Sequence, residues 1–165
     1  MITAIIQART GSTRLPNKVF AKLADKPVIW HIVNRIRFSK LIDKIVIATT
    51  TNTEDLTLVD WASLNDVHFF CGSENDVLDR FYNAAKTIGS NIIVRVTADD
   101  PFKDPEIIDS VITLLLEQNL DFSYNNKPPT FPEGLDTEVF KFQALEKASK
   151  EATDLFDREH VTQFF

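Results

Sequence analysis

The chain has 165 residues, 44% of them hydrophobic, which suits one domain with a substantial core. Its formal charge of −6 argues against a general nucleic-acid binder, which is basic overall, and its single Cys71 excludes an internal disulfide framework or a cysteine-built zinc site. No apolar run approaches the roughly 20 residues of a membrane span, and the opening MITAIIQARTGS has no basic n-region. The expectation is a soluble, cytoplasmic globular protein with no membrane or nucleic-acid partner. The charge is unevenly spread: residues 1–44 carry nine Lys/Arg against two Asp/Glu, and residues 45–165 carry nine against twenty-two.

Short apolar runs alternate with amphipathic stretches. The runs Ile2–Ala8, Lys44–Ala48, Val67–Cys71 and Asn91–Val96 read as strands buried on both faces. Between them, Pro27–Phe38, Thr53–Leu64, Glu74–Ile88 and Pro105–Gln118 place their apolar residues at helical spacing, with Pro27 suited to a first turn and Gly89 to a C-cap. Asp121–Tyr124 and Thr137–Phe142 are strand-like, Gln143–Lys150 is helical, and Asp154–Phe165 closes the chain. The two tryptophans and the thirteen phenylalanines read as core or helix-packing residues, and Cys71 as a buried thiol. Such alternation predicts an α/β fold: a three-layer α/β/α sandwich with helices on both faces of a mostly parallel sheet, occupying residues 1–165 as one domain. Ligands of such folds bind beyond the carboxyl ends of the strands, so the loops after them are the places to search.

The loop after the first strand, ARTGSTRLPNK, carries Arg9, Arg14 and Lys18, two hydroxyls and Gly11. Fixed cations with inward-pointing N–H groups at a strand end suit a triphosphate. The loop is neither a Walker A sequence nor a GxGxxG turn, and a solvated basic loop is the competing reading. The fourth strand ends in RVTADDP, where Asp99 and Asp100 could hold a hard divalent cation; simple capping of the next helix by Asp100 or Asp104 competes with this. In GSENDVLDR, Ser73 or Asn75 would cap a helix and Asp76 would pair with Arg80 at i, i+4. PEGLDTE reads as a turn around Gly134, and Glu159-His160 as acid/base or sugar-binding groups or as structural residues.

Six motifs occur in order: IIQARTGSTRLPNKV, ATTTNTED, GSENDVLDRF, VRVTADDP, FPEGLDTEVF and DREHVT. Together they resemble the spore-coat-polysaccharide-type cytidylyltransferase family, related to the acylneuraminate and 3-deoxy-manno-octulosonate cytidylyltransferases, over essentially the whole chain. The resemblance implies a Rossmann-like fold of the nucleotide-diphospho-sugar transferase (GT-A) type. The implied enzyme is a nucleotidyltransferase that moves CMP from CTP to an acceptor sugar, a 2-keto-3-deoxy acid sugar or a sugar phosphate, releasing pyrophosphate in polysaccharide synthesis. By motif position, Ala8, Arg9, Gly11, Ser12, Asp79, Arg80 and Thr97 would bind nucleotide. Arg14, Lys18 and Asp99 would be catalytic, Asp99 as the ligand of a Mg²⁺ cofactor. Asp136, Glu138, Glu159 and His160 would face the sugar, and a homodimer is the assembly such relatives suggest.

The sequence departs from that pattern in three places. Asn17 stands where similar sequences carry glycine, and Ala98-Asp99-Asp100-Pro101 replaces Gly-Asp-Cys-Pro. The chain also stops before the Val-Asp-Thr-Pro-Glu-Asp-like motif whose aspartate is a second metal ligand. An expectation that competes with the enzyme is therefore a truncated, weakly active or inactive nucleotide-binding remnant. A kinase or dinucleotide-dependent enzyme lacks its glycine signature here.

Overall fold

The computed structural model describes residues 1–12, 15–129 and 131–165. In chain order the strands and α-helices are β1 (Ile2–Gln7), β2 (Lys22–Leu23), β3 (Lys26–Pro27), α1 (Val28–Ile36), β4 (Lys44–Thr50), α2 (Leu56–Leu64), β5 (His68–Gly72) and α3 (Val77–Ile88). They continue with β6 (Ile92–Thr97), α4 (Pro105–Glu117), β7 (Phe122–Tyr124), β8 (Glu138–Lys141), α5 (Phe142–Glu151) and α6 (Leu155–His160). The main sheet has the order β5-β4-β1-β6-β8-β7, and β2 and β3 form a separate two-stranded ribbon.

The β1, β4, β5 and β6 strands are parallel, as β-helix-β alternation requires, while β8 runs antiparallel between β6 and β7. Helices cover both faces, so two cores form. One face packs Ile6, Ile47 and Val94 with Ile29 and Ile32 of α1, Leu58 of α2 and Ile112 of α4. The other packs Ile5, Ile93 and Phe140 with Phe81 of α3 and Leu145 of α5. The expected α/β/α sandwich is therefore present. Central strands buried on both faces account for the apolar runs in β1 and β4.

Several local expectations need correction. The third apolar run lies at the sheet edge as β5, where Phe69 is 46% exposed, so only one flank of this strand is paired. Phe38, Phe102, Phe131 and Phe156 are also exposed rather than core. Cys71 is half-buried rather than buried, and its thiol is pushed up by burial and by the Asp55 carboxylate. Helix α3 starts later than its apolar pattern suggests because Asp76, not Ser73 or Asn75, caps it: the Asp79 amide donates to Asp76 Oδ1 at 2.9 Å. Its other end is as expected, with Gly89 left-handed at φ 74°. Helix α4 likewise begins at Pro105 beneath the Asp104 cap. Among the described residues, no helix is long and apolar enough to cross a membrane.

Candidate active site

The order of the sheet creates the site. From β1 the chain moves outward through β4 and β5, then returns to β6 on the other flank of β1. The loops after β1 and β6 therefore diverge, opening a crevice at their carboxyl ends. Three connected hollows lie there. One of about 210 Å³ is lined by Ala8, Arg9, Ser12, Lys18, Thr97 and Asp99. A second, of about 320 Å³, is lined by Ala8, Arg9, Glu74, Asn75, Arg80, Arg95, Glu159 and His160. The third, of about 120 Å³, holds Arg95, Thr97, Asp100, Lys103, Asp136 and Glu138.

The loop after β1 is anchored by a residue to which the sequence assigned no role. Asp55 is 1% exposed and accepts hydrogen bonds from the Thr10 amide and the Thr10 hydroxyl, each at 2.7 Å, and from the Thr50 hydroxyl. Burial pushes the Asp55 carboxyl up, but these donors outweigh it and hold the group below its ordinary value. A buried carboxylate thereby ties the basic loop to the end of β4. Gly11 follows, where an added Cβ would meet, among the described residues, the end of the Glu54 side chain at 2.9 Å. Asn17 takes the left-handed conformation, φ 57°, in the position similar sequences give to glycine. Asparagine tolerates that region, so the departure leaves the turn accessible. Arg14 lies outside the described residues.

The two strand ends meet across the crevice. Lys18 Nζ lies 2.8 Å from Asp99 Oδ2. Burial raises the Asp99 carboxyl, yet the Lys18 ammonium, with the Thr97 side chain, holds it below the ordinary range, so it is a carboxylate at neutral pH. The neighbouring Asp100 turns to the third hollow, where its Oδ2 accepts from Thr97 Oγ1 at 3.0 Å and Lys103 Nζ at 3.0 Å. Two adjacent carboxylates thus face different hollows. Among the described residues no three metal-ligating side chains converge. A Mg²⁺ ion keeps most of its shell as water and phosphate oxygen, so one ionised carboxylate beside a polyphosphate cradle fits its chemistry. Asp99 is the residue of this cleft that could hold such an ion.

The second hollow is framed by α3. Arg9 Nη1 pairs with Glu74 Oε1 at 2.8 Å, and Glu74 Oε2 also accepts from Asn52 Nδ2 at 2.8 Å. Arg80 is 3% exposed; its Nη1 donates to the Ser73 carbonyl, while Nε has no partner among the described residues. Burial and then the like charge of Arg9 depress the Arg80 pKa, with Asp55, Glu74 and Asp76 opposing them. The expected Asp76–Arg80 pair is replaced by Asp76–Arg158, at 2.7 Å, while Arg80 packs its Cβ and Cγ beside Gly72 and donates to the Ser73 carbonyl. That ion pair holds α6 against the start of α3 and so positions Glu159 and His160 in the wall. Asp79 does not line the hollow; its amide is used by the helix cap and its carbonyl accepts from Asn83.

The third hollow gathers Asp136 and Glu138, as their shared motif suggests, but separates them from Glu159 and His160. Glu138 Oε2 accepts from Arg95 Nη1 at 2.7 Å and from Thr162 Oγ1 at 3.1 Å. Arg95 and Lys103 carry no signal in the sequence: one sits within an apolar strand, the other in a loop. Only the pairing of β6 with β8, which sets Arg95 opposite Glu138, brings them here.

Fold and site together define an α/β protein whose ligand crevice lies at the switch point of its sheet, with cations and a carboxylate at adjacent strand ends. The cytidylyltransferase family model matches residues 3–165, and the chain belongs to that family. It is 45% identical over 163 residues to the uncharacterized protein MJ1063 of Methanocaldococcus jannaschii, the match covering 99% of this chain and 66% of that protein. It is 35% identical over 169 residues to the spore coat polysaccharide biosynthesis protein SpsF of Bacillus subtilis, covering 96% of this chain and 70% of that one. The solved cytidylyltransferase of Leptospira borgpetersenii superposes with a TM-score of 0.94 at 36% identity, covering 99% of this chain and 69% of that structure. The chain thus spans about two thirds of the length of these relatives.

Proposed function

We propose that this chain is the nucleotide-binding part of a sugar cytidylyltransferase, which transfers CMP from CTP to an acceptor sugar in surface-polysaccharide synthesis. The observation that carries the reading is the Lys18–Asp99 pair: a phosphate-seeking cation and an ionised carboxylate face each other across the crevice. Family membership and the likeness to SpsF support the same chemistry.

In this reading the second hollow takes the nucleoside, against Arg80 and the Arg9 backbone. The first takes the triphosphate, with Arg9, Ser12 and Lys18 as donors. The third takes the acceptor. An acceptor oxygen attacks the α-phosphorus in line; a new P–O bond forms and the bond to the β-phosphate oxygen breaks, so pyrophosphate leaves with the electron pair. Lys18 and Arg9 exchange their carboxylate partners for phosphate oxygens and neutralise the charge that grows on the leaving group. Asp99, released from Lys18, would hold Mg²⁺, which supplies charge neutralisation to the phosphates when bound. A phosphate acceptor needs no base; a sugar hydroxyl loses its proton to one. A homodimer belongs to the same proposal.

The test is incubation with CTP, Mg²⁺ and a panel of sugar 1-phosphates and 2-keto-3-deoxy sugars, with pyrophosphate release and calorimetric CTP binding as readouts. Release with one of them is the expected result. CTP binding without release favours the binding remnant, and neither binding nor release overturns both readings.

A further inference from the structure

The third hollow has a charge pattern that separates two classes of acceptor. We infer that it selects a sugar whose ring carries hydroxyl or amino groups and no carboxylate, a conclusion that rests on the cytidylyltransferase reading and narrows its acceptor.

Two cations line the hollow, and both are already neutralised. Arg95 and Glu138 pair at 2.7 Å with side chains only 15% and 14% exposed. The Lys103 side chain is 4% exposed and pairs with Asp100 at 3.0 Å, while its ammonium also donates to the Asp136 carbonyl. Withdrawing either cation for an incoming anion would strand a carboxylate in a poorly solvated place, which costs more than a new pair returns. The third acid, Asp136, has no donor to its carboxylate among the described residues. Two cations against Asp100, Asp136 and Glu138 leave the hollow one negative charge in excess.

The adjoining phosphate cleft is built the opposite way. There the Arg9–Glu74 side chains are 47% and 37% exposed and the Lys18–Asp99 side chains 29% and 51%, so these pairs open to solvent and to an anion. The acceptor's ring therefore belongs beside Asp136, away from the cations that meet the triphosphate. Hydroxyls can donate to Asp136 and Glu138 and accept from Lys103, and an ammonium gains the uncompensated charge; a ring carboxylate meets like charge. The geometry fits a ring bearing hydroxyl or amino groups and disfavours one bearing a carboxylate remote from the reacting carbon.

The experiment uses the full chain and simple monosaccharides at millimolar concentration, read by saturation-transfer NMR: glucose, glucosamine and glucuronate, with the matching galacto series. The expected result is transfer to the neutral and amino sugars, with apparent Kd for the uronates at least roughly tenfold higher, a factor between a fully water-screened like-charge contact and a close one at a protein surface. Equal or stronger transfer to the uronates overturns the inference, as does transfer to no sugar of either series. Asp136→Lys, checked for folding by circular dichroism, is expected to shift the preference towards the uronates, and Asp136→Asn to narrow it. An unchanged preference in both variants also overturns the inference. Calorimetry with CTP on the same wild-type sample separates the two levels. Normal CTP binding with a uronate preference defeats only the acceptor assignment, whereas absent CTP binding defeats the transferase reading and leaves the sugar preference readable.

Discussion

Lys18 Nζ and Asp99 Oδ2 are 2.8 Å apart, so a cation from the loop after β1 and a carboxylate from the loop after β6 neutralise each other across the crevice. The Lys18 ammonium holds the Asp99 carboxyl below its ordinary range, and the bond fixes the two side chains against each other. In the proposed reaction a metal on Asp99 would free Lys18 to meet phosphate.

Asp99→Asn tests that relationship. Divalent-dependent pyrophosphate release is expected to disappear, while CTP binding without added metal is kept, because Lys18 no longer has a competing anion. The pair is half exposed, so its loss should cost at most about 1 kcal/mol, or roughly 2–4 °C in Tm. Full retention of metal-dependent turnover would show that Asp99 is not the metal ligand.

Lys18→Ala and Arg9→Ala are expected to separate phosphate from nucleoside recognition. Each removes a charge-assisted hydrogen bond, a change of about 1.5–3 kcal/mol or roughly 10- to 100-fold in CTP Kd. Cytidine, which has no phosphate, should bind both variants as it binds the wild type. Calorimetry with the two ligands distinguishes this from a general loss of the site.

Asp55 gives a stability prediction with a definite pH direction. Its folded pKa is lowered, so its contribution is present in full above the ordinary value of 3.8 and is lost as the pH falls through the lower folded value. Asp55→Ala leaves the Thr10 amide and two threonine hydroxyls without their acceptor. The expected cost at neutral pH is about 3 kcal/mol, with a flatter acid limb of the stability curve. Urea titrations from neutral pH down to pH 3 would measure both, and an unchanged acid limb would count against the anchoring role.

Two glycines at the site should respond differently. At Gly72 a Cβ would sit 3.0 Å from both Arg80 Cγ and Phe70 Cε1, so Gly72→Ala pushes on the buried arginine. A cost of about 1–3 kcal/mol and weaker nucleotide binding are expected. At Gly11 the clash is with the mobile end of Glu54, so Gly11→Ala should cost well under about 1 kcal/mol. Thermal melts with and without CTP compare the two.

The sequence by itself determined the alternation of strands and helices, the parallel core and the loop that carries Arg9, Ser12 and Lys18. These are local properties: apolar period, helix caps such as Asp104 and Gly89, and the composition of one short segment. Its ordered motifs also pointed to the family before any coordinates. Tertiary structure alone decided what lies across from what. Inserting β8 antiparallel between β6 and β7 sets Glu138 opposite Arg95, and folding the DDP turn sends Asp99 to the phosphate cleft and Asp100 to Lys103. Asp55 and Thr10 are 45 residues apart, Lys18 and Asp99 81. Side-chain periodicity reports which face of an element is buried, and it carries no record of the partner that face will meet. For that reason the charge balance of the hollow built from β6, β8 and two loops becomes visible only when the chain is folded.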